Sequence, residues 1–143
     1  MTDISFYLIS EPSVEGKLRF ACRLIEKIYS QHQIYVQTPS VAVATQLNDL
    51  LWTFRDISFV PHELFDSTKK QNAPVQIGHH AQCPEQTNIV LNLTEELPIE
   101  QASVTRIIEI VGTDETDKIQ SREKFKQYKE SGNDIQTFDL TQK

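Results

Sequence analysis

The chain has 143 residues, 38% hydrophobic and 24% charged, with a formal net charge of -6. That length suits one ordinary core, so residues 1–143 read as a single domain, and the proportions exclude a disordered tail or a coiled coil. The acidic balance disfavours tight, direct binding to nucleic acid. The stretch Met1 to Ser10 has no basic flank leading into a long apolar run, so neither a secretory signal nor a membrane span is expected, and the chain reads as cytoplasmic.

In chain order, Ile4 to Ile9 is a short apolar run ended by Glu11-Pro12, the pattern of a buried strand. From Lys17 to Ser30, the residues Leu18, Ala21, Cys22, Ile25, Ile28 and Tyr29 recur at three- and four-residue spacing and share one helical face. Gln33 to Gln37 is β-favouring and closes at Thr38-Pro39, after which Ser40 can cap a second helix with Leu47, Leu50 and Leu51 inward. The run after Trp52 is irregular and aromatic, with Phe54, Phe59 and Phe65 beside Val60 and Leu64. Pro74 to Ile77 is long enough for a third strand, and Gly78 to Thr87 is polar. Asn88 to Leu93 and Val104 to Val111 read as central strands of a largely parallel sheet, and the connection through Leu97-Pro98 has room for a short helix. Asp114 to Ser131 reads as a charged helix capped at Gly132-Asn133, and Ile135 to Leu140 as a final edge strand. Strands alternating with helices predict a three-layer α/β/α domain on a mostly parallel sheet.

Such a sheet raises the alternative of a nucleotide-dependent enzyme. The glycine-rich turn is missing, and the first strand-to-helix connection carries Glu11 and Glu15, which would oppose a phosphate. His79, His80 and Cys83 do not complete a four-ligand metal set and read as a solvated polar loop. Cys22, on an apolar helical face, reads as core, and with only two cysteines both thiols are expected to be reduced. His62 has no neighbouring nucleophile and reads as structural or interfacial. No catalytic residue, cofactor or metal is predicted.

Two features remain. Six large apolar side chains between Trp52 and Phe65 exceed what a loop needs for anchoring, which suits a partner surface, although the loop can also fold back on the domain. In the late helix, Lys118, Arg122 and Phe125 are spaced four and three apart and share an arc about 60° wide. Two cations beside an aromatic can receive an acidic peptide. The plainer alternative is an amphipathic helix with Phe125 in the core and its lysines in solvent.

Leu51-Trp52-Thr53-Phe54, followed by Ser58-Phe59-Val60-Pro61-His62, resembles the signature of the bacterial DNA polymerase III chi subunit family. Phe6-Tyr7-Leu8, Ala73-Pro74-Val75, Asn88 to Asn92 and Arg122 to Lys129 with Gly132 are similar in order and spacing. The resemblance implies a non-catalytic clamp-loader accessory protein with a Rossmann-like sheet but without nucleotide. It implies binding of the psi subunit through Trp52, Phe59, Val60, Pro61, His62 and Leu64. It also implies binding of the acidic C-terminal tail of single-stranded-DNA-binding protein through Lys118, Arg122 and Phe125, where the family often has tyrosine at the last position. A repair helicase is a further candidate partner for the aromatic surface.

Overall fold

The computed structural model describes residues 2–55, 59–79 and 83–141. In chain order the elements are β1 (Asp3–Leu8), α1 (Val14–Ile28), a 3-10 turn (Tyr29–Gln31), β2 (Ile34–Gln37), α2 (Val41–Thr53), β3 (His62–Leu64), β4 (Val75–Gly78), β5 (Ile89–Asn92), β6 (Arg106–Val111), α3 (Glu115–Glu130) and β7 (Asp134–Asp139). The strands form one sheet in the order β3-β4-β2-β5-β6-β1-β7. Every neighbouring pair is parallel.

Side-chain alternation along the strands assigns the two faces. Ile34 and Val36 of β2, Ile89 and Leu91 of β5, and Ile108 and Ile110 of β6 pack with α1 and α2 into the main core. On the other face Ile4 and Phe6 of β1 and Val111 of β6 pack with Tyr128 of α3, joined by Ile135 of β7. This second layer is only partly helical. Over β2 it consists of Phe65, Cys83 and Ile99 against Tyr35, all from irregular segments.

The helix starts follow their caps. Ser13 Oγ accepts the Gly16 N–H at 3.0 Å, so α1 begins at Val14, three residues before the Lys17 start of the stretch read as helical. Ser40 Oγ accepts the Val43 N–H at 3.2 Å, as its position suggested. Gly132, at φ 81°, takes the left-handed position that ends α3.

The structure differs from the sequence reading at three places. The aromatic run contains a strand, β3, which pairs His62 to Val75 and Leu64 to Ile77 at the sheet edge. Three residues after a proline carry too little periodicity to announce it. The connection through Leu97-Pro98 holds no helix. Asn92 Oδ1 accepts both the N–H and the hydroxyl of Thr94 at its start, turning the chain locally instead. Cys83 is not in a solvated loop but 9% exposed beneath Phe65 and Ile99. His79 is exposed, and His80 lies outside the described residues.

Candidate functional site

Two surfaces hold the residues singled out by the sequence. The first lies at the β3 edge. Trp52, in the last turn of α2, is 51% exposed and Phe59 65%, with their ring centroids 5.6 Å apart; Leu64 is also exposed. Beneath them Val60 is fully buried and His62 nearly so. The imidazole of His62 lies 4.5 Å from the Trp52 ring. Its Nδ1 is 2.6 Å from the Val60 carbonyl and its Nε2 2.9 Å from the Asn48 carbonyl of α2. His62 therefore ties the end of α2 to the aromatic segment, and with Val60 forms the floor under Trp52 and Phe59. The greasy stretch divides accordingly: Val60 and Phe65 are core, Phe54 packs half-buried against it, and Trp52 and Phe59 form an exposed aromatic pair, with Leu64 also exposed and Pro61 half-buried.

The second surface is on α3. Lys118 and Arg122 are exposed, and Phe125 is 38% exposed with its ring centroid 5.8 Å from that of Phe6 on β1. Gln127 and Tyr128 lean over the segment from Leu97 to Ala102, so the flank carrying Phe125 looks toward β7. Phe125 is therefore not a fully buried core residue: one side of its ring packs on Phe6 and the other meets solvent.

Not all lysines of this helix reach solvent. Lys124 is 8% exposed, with Nζ 3.0 Å from Glu109 Oε1 and donating to the Thr94 carbonyl at 2.7 Å. The Tyr128 hydroxyl and the Asn92 amide both donate to Glu109 Oε2. Burial pushes the Glu109 carboxyl above the ordinary carboxylate range, opposed by the charge of Lys124 and by the donated hydrogen bonds. Sequence reasoning missed this network. Its one signal was a lone glutamate inside the apolar strand Ile107-Ile108-Glu109-Ile110-Val111.

At the C-terminal edge of β5, β6 and β1, β1 leaves for α1 on one face and β6 for α3 on the other. Doubly wound sheets take ligands at such a divergence. Here the space is filled from within. Glu11 folds over the first turn of α1, so close to Gly16 that a Cβ there would collide with its carboxylate. Asp117 accepts the Gly112 N–H at 3.2 Å and pairs with Lys17 at 2.8 Å. The cavity left among Lys17, Glu109, Asp117 and Lys124 measures about 20 Å³, room for one water. Among the described residues no group of three His, Cys, Asp or Glu could hold a metal ion, and no helix is long and apolar enough to cross a membrane.

The family model described as DNA polymerase III chi subunit, HolC, matches residues 1–136. The chain belongs to the DNA polymerase III chi subunit family. Proteins named DNA polymerase III subunit chi are similar to it along nearly their whole lengths. The one from Pseudomonas aeruginosa is 32% identical over 137 residues, covering 95% of each chain. That from Haemophilus influenzae is 28% identical over 134 residues, covering 92% of this chain and 93% of its own. That from Escherichia coli is 24% identical over 143 residues, covering 96% and 97%. The chi family thus accounts for the resemblance carried by the Trp52 to His62 stretch.

Proposed function

We propose that this chi-family chain is a non-catalytic adaptor of the clamp loader, working as a single domain over residues 1–143 in the cytoplasm. One surface, Trp52, Phe59, Pro61 and Leu64 on a floor of Val60 and His62, holds the psi subunit. The other, Lys118, Arg122 and Phe125, holds the acidic C-terminal tail of single-stranded-DNA-binding protein.

The observation that carries this reading is the placement of the two surfaces. The aromatic patch sits at β3, the first strand of the sheet, on the side of α2. The cationic arc sits over β1 and β7, at the far end and on the opposite face. Five strand spacings of about 4.8 Å separate β3 from β1, roughly 24 Å. Two partners can therefore bind at once, and two modest contacts joined through one rigid sheet raise the effective concentration of clamp loader at protein-coated template. An apolar patch rich in Trp and Phe suits a folded protein partner. Exposed cations beside a half-exposed ring suit a carboxylate-rich peptide with an apolar side chain. The filled divergence at the sheet edge favours this reading over a nucleotide-dependent enzyme.

The test is titration with an acidic, phenylalanine-ended peptide from the tail of the cognate single-stranded-DNA-binding protein. Arg122→Ala is expected to weaken binding by about 1 to 3 kcal/mol, the usual worth of a charge-assisted hydrogen bond. Equal affinity of variant and wild type sinks the assignment of this surface.

A further inference from the structure

Helix α3 is docked in an unusual way. Its only buried residues are Lys124 and Tyr128, whereas a surface helix ordinarily buries three or four apolar side chains every two turns. One of the two is a lysine whose ammonium is shared between Glu109 of β6 and the Thr94 carbonyl beyond β5. The other donates its hydroxyl to the same glutamate, which Asn92 also meets at 2.9 Å. Apolar contact is non-directional and tolerates rotation of a helix about its axis. Hydrogen bonds weaken steeply with angle and do not.

We infer that Glu109 and Lys124 are positioning residues for the α3 surface: their buried pair sets the rotation at which the helix presents Lys118, Arg122 and Phe125. This rests on the tail-binding reading above. Side chains lie about 5 to 6 Å from a helix axis, so turning α3 by roughly 30° carries the Arg122 guanidinium about 3 Å sideways. A displacement of that size breaks a forked contact with a carboxylate. It also shears the Phe125 ring away from Phe6.

The test uses the full chain with Glu109→Gln and Lys124→Met together. This exchange removes both charges, keeps the net charge, and leaves an amide oxygen for Tyr128 and Asn92. A buried ion pair replaced as a unit is often neutral for stability, so the variant is expected to melt like wild type. Amide exchange along 117–130 should quicken while β5 and β6 stay protected, and the tail peptide should bind at least about tenfold more weakly. Unchanged exchange in α3, or unchanged affinity despite faster exchange, overturns the inference. If the variant does not fold, Tyr128→Phe provides the second measurement, because it loosens the network without leaving a buried charge alone. Tail affinity that follows α3 exchange in that variant supports the role, and affinity that stays fixed overturns it. If wild type binds no tail peptide, the functional reading fails, and α3 exchange still decides whether the pair holds the helix.

Discussion

Lys17 Nζ lies 2.8 Å from Asp117 Oδ2 and joins α1 on one face of the sheet to α3 on the other, around the ends of β1 and β6. Each side chain is about one-fifth exposed, so the pair is neither a fully screened surface bridge nor a deeply buried one. Asp117 also accepts the Gly112 N–H. Asp117→Ala is expected to cost about 1 kcal/mol and to free the start of α3. The check is the urea midpoint at low and high salt: the deficit should appear in both and shrink with salt, and a midpoint equal to wild type contradicts it.

The aromatic surface predicts a separation of binding from stability. Phe59 is mostly exposed, so Phe59→Ser should leave unfolding within about 1 kcal/mol of wild type while abolishing co-elution with psi. His62 lies beneath, with a carbonyl within hydrogen-bonding distance of each ring nitrogen and the ring packed on Trp52, so His62→Ala should cost about 2 kcal/mol. Denaturation curves and size-exclusion binding on both variants decide it. A Phe59→Ser protein that unfolds would place that ring in the core.

Breaking the Glu109 network from one side should be costly. Glu109→Gln alone leaves the Lys124 ammonium buried without a counter-charge, an arrangement that costs about 3 kcal/mol or more. Adding Lys124→Met should return most of that loss. A double-mutant cycle by chemical denaturation measures the coupling, and additive losses would show that the two groups do not act as a pair.

The sheet and helices were legible because their signals are local. Apolar runs such as Ile4 to Ile9, and caps such as Ser40, fix an element whatever surrounds it. β3 was not legible, because three residues become a strand only through the hydrogen-bonding edge that β4 offers them. The split of the aromatic stretch into buried Val60 and exposed Phe59 was likewise undetermined, since adjacent residues of one irregular run differ only in where the fold points them. The arc of Lys118, Arg122 and Phe125 was legible from helical period alone. The burial of Lys124 was not, because composition reads every lysine as solvated, and only the register of β6 reveals the glutamate waiting opposite.

Cys22 carries a prediction with a definite sign. It is wholly buried on the inner face of α1, and that burial pushes its thiol from 9.0 up to about 12. The native thiol holds its proton to higher pH than the unfolded one, so between these values the unfolded chain binds fewer protons and stability falls as pH rises. The contribution is fully present below about pH 9 and is lost toward about pH 12. The stability advantage of wild type over Cys22→Ala should therefore narrow across that window in urea titrations. At neutral pH a thiol reagent should modify Cys22 only on unfolding, because the thiolate is the nucleophile and burial suppresses it. Rapid labelling of Cys22 in the native protein, or a stability difference that stays flat to pH 12, would show that α1 opens far more readily than its packing implies.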